Sequence, residues 1–310
     1  MKVSTTTAEF REYADSIAEQ LALFEGTGFR NFDLSLYTVN TPGSVFLAKD
    51  DAWKKEIEAV GITAEKMGFS FTICHSPDGR YFAGEEERQN LILTTKRAIE
   101  ACAMLGIKDM VMHSLMMPKA TPTQFMKENK KYNQLFFDDM EKHGVNILIE
   151  NSADKDTPGY YLRFGTEMRE YIEFVDHPML YACWDTGHAH MQGTDQYESI
   201  IALGDLLRGV HIADNLGDMD SHTAPFFGTC NFDPIIQGLL DIQFPGTFNF
   251  ESTRIVFPHN SWPHKRKPWF YKGKEVTVLH EVPLHIKKQT VALCYEIGKY
   301  MLTQYNCFEE

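Results

Sequence analysis

The chain of 310 residues contains no run of about 18 apolar residues, so nothing in it reads as a membrane span. It also lacks any CxxC pair. Its six cysteines, Cys74, Cys102, Cys183, Cys230, Cys294 and Cys307, are scattered, as expected of reduced thiols filling the core of a cytoplasmic protein. No low-complexity segment or shift in composition marks a linker. The opening MKVSTTTAEFREYADSIAEQ has no apolar stretch of signal-peptide character. Positive charge is scarce: Lys and Arg number 30 against 43 Asp and Glu, a formal net charge of −13. Duplex DNA asks for a basic face that neutralises several phosphates. Nucleic acid is therefore not the expected partner; a small molecule is.

What the chain does have is a recurrence: a short apolar run, a polar turn, then a segment of helical period. The strand candidates are Lys2–Thr5, Asn31–Leu36, Ser70–Cys74, Asp109–His113, Val145–Glu150, Leu180–Trp184, Leu207–Ile212 and Thr247–Glu251. Short runs bounded by turn residues suit buried parallel strands. The first helix candidate, residues 7–26, places Phe10, Tyr13, Ile17, Leu21 and Phe24 three and four apart and ends at Gly26. Two more end at Gly106 and Gly144, and a last one spans Lys287–Thr303. This alternation predicts an α/β fold, a (β/α)8 TIM barrel forming a single domain over residues 1–310. Two long connections stand out, Asn151 to about Gly165 and residues 252–281 after the eighth strand, and long loops on a barrel tend to serve function or contact.

Chemistry on such a barrel gathers at the C-terminal ends of its strands. Those ends carry His75, His113, Glu150, Asp185 with His188, His211 and Glu251, while the first two strands end without such a residue. The loop after His211 adds Asp220 and His222. Taken singly, a buried histidine is more often a satisfied core residue, and a strand-end acid is often a helix cap. Six corresponding positions on a closed barrel, however, converge on one mouth. Carboxylates crowded there repel one another unless a cation offsets them, and mixed carboxylate and imidazole donors suit Mn, Fe, Co or Zn better than Ca.

The segments ILIEN, CWDTGHAH, VHIADN and FNFES resemble the signature strands of the xylose-isomerase-like TIM barrels. That superfamily holds sugar and sugar-phosphate isomerases and epimerases, inosose dehydratases and apurinic-site endonucleases, and the resemblance runs from about Gly28 to Glu251. By it, Glu150, Asp185, His211 and Glu251 match a site for one divalent metal ion (Mn, Zn, Co or Mg). His75, His113, His188, Asp220 and His222 match the additional ligands of three-zinc endonucleases, or serve as substrate contacts. The chain departs from relatives at Ala213, where an HxHD pattern would place a second histidine. The loop after His211 also lacks the arginine motif of ketose 3-epimerases, which counts against epimerisation at C3.

The expected chemistry is isomerisation or epimerisation of a small sugar, polyol or sugar phosphate. A metal stabilises the developing enediolate while Glu150 and Glu251 act as acid and base. The competing readings are a zinc-dependent apurinic-site endonuclease, a related lyase or dehydratase, and a barrel that binds sugar or metal without turnover. Asn151 is expected to orient Glu150 by a hydrogen bond or to contact substrate, and Arg80 and Arg254 to lie near a substrate hydroxyl or phosphate. His190 is read as structural. The segment from residue 261 to 274, SWPHKRKPWFYKGK, interleaves cations with aromatics against the acidic background. Such a composition suits a lid or a contact between subunits of a homo-oligomer, since one loop does not offset the net charge around an extended polyanion.

Overall fold

The computed structural model describes residues 1–153, 161–252, 254–256 and 267–310. Each expected strand forms: β1 Val3–Thr6, β2 Asn31–Ser35, β3 Ser70–His75, β4 Asp109–Met112, β5 Asn146–Glu150, β6 Leu180–Asp185, β7 Leu207–His211 and β8 Phe248–Phe250. They pair in parallel in chain order from β1 to β7, and β8 returns to lie beside β1. A parallel bridge between Ile212 and Phe250 closes β7 onto β8. The sheet therefore curls into an eight-stranded TIM barrel with helices around it, and all eight C-terminal ends face one mouth.

Strand alternation sorts side chains into two populations. One set, including Phe32, Leu34, Cys74, Met110, Ile147, Ile149, Ala182 and Val210, packs outward against the helices in a large core. A second, separate cluster of Ile73, Val111, Leu148 and Cys183 fills the barrel interior. Each member of this plug lies two residues before a site candidate: His75, His113, Glu150 and Asp185 respectively. Side chains in a strand alternate with period two, so the residues that plug the barrel also aim the next layer at the mouth. Gly209, two before His211, belongs to the same register. A Cβ there would sit 2.8 Å from Leu148 Cδ1, so glycine leaves the plug its room.

Two helical expectations need correction. Residues 7–26 are not one helix. Thr6 Oγ1 accepts from Ala8 N and caps a 3₁₀ turn, Thr7–Phe10, and Ser16 then opens a new helix, Ile17–Ala22, in a capping box with Glu19. The apolar spacing was right for burial but blind to the local competition of Ser16 for backbone donors. The segment ending at Gly144 likewise divides into Pro122–Gln134 and Phe137–His143. The helices ending near Gly106 and at the C-terminus form as Glu85–Met104 and Leu284–Gln304.

Among the described residues, no helix is long and apolar enough to cross a membrane. Of the long connections, residues 154–160 lie outside the described residues. So do 257–266, which include Trp262, Lys265 and Arg266 of the basic aromatic segment. Its described remainder forms a small antiparallel pair, Phe270–Tyr271 with Lys274–Glu275. There the rings of Trp269 and Tyr271 stack at 5.9 Å and stand more than half exposed.

Candidate metal centre

Because the strands are parallel and their inward residues share a register, the expected strand-end groups meet. Glu150 at the end of β5 reaches His211 Nδ1 with Oε1 at 2.5 Å, and Glu251, one residue past β8, reaches the same nitrogen with Oε2 at 3.0 Å. Asp185 ends β6 beside His211 in register. One donor atom from each of Glu150, Asp185, His211 and Glu251 falls within 4.8 Å of the others.

The two carboxylate oxygens of Asp185 are placed differently. Its Oδ1 caps the helix Thr186–Gln192 by accepting from His188 N at 2.7 Å, while Oδ2 is buried without a hydrogen-bond partner. A buried carboxylate oxygen left without a partner is costly, and a cation would satisfy it. Burial raises the Asp185 carboxyl to about 6, against the opposing pull of His188. Burial would also raise Glu150 and Glu251, but the charges and hydrogen bonds of the surrounding histidines together outweigh it, those of His211 and His113 at Glu150 and those of His211, His222 and His75 at Glu251. Glu150 is held well below the usual carboxylate range and Glu251 at about 2. His211 shows the converse: burial alone would lower it, yet the surrounding acidic groups, Glu251 and Glu150 among them, hold it well above the usual histidine range. The donors therefore carry the charges a divalent ion would meet.

The further candidates fall into two places. His75 and His113 stand over Glu150: His113 Nε2 lies 2.6 Å from Glu150 Oε2, and His75 Nε2 lies 3.9 Å from it. His188, Asp220 and His222 form a second triad, with Asp220 Oδ2 at 3.5 Å from His188 Nε2 and 2.9 Å from His222 Nε2. Three of these histidines share one arrangement. Nδ1 faces a backbone carbonyl, that of Ser76 for His75, Asn151 for His188 and Glu251 for His222, at 2.9, 2.9 and 3.0 Å. A proton on Nδ1 satisfies each carbonyl and leaves Nε2 to face the acids, the disposition of a ligating histidine supported from behind. Burial opposes the charging of His75 and His222, but the neighbouring carboxylates win and raise them to about 9 and about 10.

Above this floor lies a cavity of about 280 Å³ lined by Tyr37, His113, His188, Asp220, His222 and Glu251, with Arg11 and Arg254 among its lining residues. Arg254 thus stands where a substrate would meet it. Arg80 is exposed and lines a neighbouring cavity of about 530 Å³ with Tyr81, Phe82 and Tyr132, which shares His113 with the first. Asn151 is also spent differently from the expectation. It is buried, its Nδ2 donates to the Asp185 carbonyl at 2.9 Å, and its Oδ1 accepts from Asp185 N at 2.6 Å. It splices β5 to β6 and fixes Asp185. Gly187 sits inside the helix Thr186–Gln192; a Cβ there would come within 3.2 Å of Ala213 and Asn215. Ala213 is fully buried. Its backbone N–H donates to Thr186 Oγ1 and its carbonyl accepts from the same hydroxyl.

Two site residues were not legible in the sequence. Arg11 was absorbed into the expected first helix, although the 3₁₀ turn leaves it at the cavity. Asp33 lies within β2, two residues before its end, so a search of strand ends passes over it. It is fully buried, both of its carboxylate oxygens lack hydrogen-bond partners, and Oδ2 lies 3.7 Å from His211 Nε2.

A family model described as xylose isomerase-like TIM barrel matches residues 24–272. The protein y4fM of Sinorhizobium fredii is 28% identical over 185 residues, 57% of this chain and 58% of that one, so the alignment spans little more than half the length of that relative. Among solved structures, a D-tagatose 3-epimerase-like protein superposes with a TM-score of 0.68 at 17% identity, over 97% of this chain and 100% of that one. An AP endonuclease, family 2, from Brucella melitensis superposes with a TM-score of 0.62 at 15% identity, over 82% of this chain and 94% of that one.

Proposed function

The chain belongs to the xylose isomerase-like TIM barrel family, and from that premise we propose that it is a divalent-metal-dependent isomerase or epimerase of a small sugar, polyol or sugar phosphate. One observation carries the reading: two glutamates from β5 and β8 converge on one histidine nitrogen beneath a small polar cavity. An ion held by Glu150, Asp185, His211 and Glu251 would polarise a substrate carbonyl and make the adjacent C–H acidic enough to lose its proton.

The two glutamates are not equivalent. Glu251 keeps a fifth of its side chain exposed and lines the cavity, and its carboxyl is ionised at any ordinary pH. It is the group placed to take a proton from a bound carbon acid. Glu150 is 1% exposed and does not border the cavity, but His113 does, and His113 Nε2 lies 2.6 Å from Glu150. Protons therefore pass between Glu150 and substrate through His113. Tyr37, His188 and His222 offer hydrogen bonds to hydroxyls, and Arg11 with Arg254 favours a substrate carrying an anionic group. Acid–base groups placed in this way contribute about 10²–10⁴-fold each.

A second reading has its own support. All nine residues that match the three-zinc endonuclease pattern are brought to one mouth, and the His188–Asp220–His222 triad is compact enough for an ion of its own. The net charge of −13 weighs against an extended polyanion as substrate. The test is elemental analysis of the purified protein, beside assays on ketoses, aldoses, polyols, their phosphates and an abasic duplex at low salt. One divalent ion per chain, with chelator-sensitive turnover of a sugar or sugar phosphate, is expected. Full activity after verified metal removal refutes the metal-centred reading. Three zinc ions with efficient duplex cleavage refute the choice of substrate.

A further inference from the structure

Three of the five histidines of the mouth share one pattern. His75, His188 and His222 turn Nδ1 to a backbone carbonyl and Nε2 to the acids. His211 is reversed: its Nδ1 faces Glu150 and Glu251, and its Nε2 faces down into the barrel, where it has no hydrogen-bond partner. The group Nε2 does face is Asp33, with Oδ2 at 3.7 Å. Asp33 pairs in register with Ile73, a member of the interior plug, and so occupies the layer just beneath the site. Both residues are buried, at 1% and 0% side-chain exposure.

We infer that Asp33 is the positioning residue of the metal centre: it stands behind His211 as backbone carbonyls stand behind His75, His188 and His222, keeps the proton on Nε2 and presents Nδ1 as the ligand. The inference rests on the reading of the mouth as a metal site. Three features support it. A carboxylate in an apolar plug with neither oxygen hydrogen-bonded is costly to keep, so its placement calls for a purpose other than stability. His211 offers the one N–H that it faces along the direction opposite to the proposed ion. And a 3.7 Å separation, too long for a hydrogen bond in the structure, becomes one after a small rotation of the imidazole ring. A carboxylate behind a ligating histidine fixes its tautomer and raises its basicity, and losing such a partner weakens metal binding by about 10–100-fold.

The experiment measures Mn²⁺ affinity by chelator competition in the wild type, Asp33→Asn, Asp33→Leu, His211→Ala and the double variant Asp33→Leu/His211→Ala, with thermal unfolding of each metal-free protein. Expected are a loss of about 10–100-fold for Asp33→Leu, a smaller loss for Asp33→Asn, and a single cooperative metal-free unfolding transition in each variant. In the His211→Ala background, Asp33→Leu changes affinity by less than about twofold, because a residue acting through His211 has nothing left to act on. Wild-type affinity in both single variants overturns the inference, as does an equal loss with and without His211. If Asp33→Leu does not fold, Asp33→Asn decides by the same criterion. A wild type that binds no divalent ion refutes the metal reading itself, a distinct outcome from binding that ignores Asp33.

Discussion

Metal binding to the four-residue set should expel protons, about one per ion near neutral pH. In the metal-free protein, Nδ1 of His211 lies against Glu150 and Glu251, and His211 is held charged well above the usual histidine range. An ion using that nitrogen must displace its proton. Glu150 and Glu251 are held low and give up none, whereas Asp185, raised to about 6, gives up a second proton only in acid. The sign follows from linkage. A raised histidine pKa stabilises the metal-free fold below the unfolded value of about 6.5, and that contribution is lost as pH rises through the folded value. Lowering the pH therefore favours the proton over the metal. One proton per ion means a tenfold weaker Kd per pH unit, about 1.4 kcal/mol, so Mn²⁺ binds about 100-fold more weakly at pH 6 than at pH 8. Below about pH 6 the slope steepens toward two. Ions that also took Nε2 of His188 and His222 would release more, because His188 is raised and His222 stands at about 10. Titration calorimetry in buffers of different ionisation enthalpy counts the protons directly. A Kd that does not change with pH and a proton count near zero would refute the assignment of His211 as ligand, and a count near three would move the balance to a polynuclear site.

Glu251→Gln should abolish turnover, a loss on the order of 10²–10⁴, with the circular dichroism of the wild type retained; near-normal activity at saturating metal would sink its role as base. His113→Ala should lower kcat while leaving metal content unchanged, since it links Glu150 to the cavity; an unchanged kcat would mean that Glu150 exchanges protons by another route. The paired change Asp220→Ala with His222→Ala should impair turnover yet leave the ion at Glu150, Asp185, His211 and Glu251 in place, and elemental analysis showing an ejected zinc would count for the endonuclease-like site. Arg254→Ala should raise KM more for a phosphorylated than for a neutral substrate, and an equal effect on both would remove the anion preference.

The barrel could be read from the sequence because buried parallel strands leave short apolar runs, and strand ends locate themselves once the runs are counted. Glu150, Asp185, His211 and Glu251 were legible for the same reason: each ends or follows a strand, and closure of the barrel does the rest. The failures have a common cause in information that only closure supplies. Ser16 and Glu19 interrupt an apolar period that otherwise reads as one helix, and that interruption is what brings Arg11 to the cavity. Asn151 follows a ligand in sequence and so suggested a substrate contact, yet both ends of its amide serve the backbone of Asp185 on the next strand.

Asp33 shows the limit most clearly. In NFDLS it alternates with Phe32 and Leu34, the pattern of a strand with one face in water and one in the core. Only a closed barrel turns the polar face of that strand inward, onto the plug and beneath the ligands. The same alternation that aims His75, His113, Glu150 and Asp185 at the mouth therefore also delivers a carboxylate one layer below them. Where most of that layer is filled by Ile73, Val111, Leu148 and Cys183, an acid is a local rule broken at a functional place, and such breaks are where a site is to be sought. The position of the proposed ligands is thus a property of strand length, and the proposed partner of His211 is a residue that strand-end reasoning does not reach.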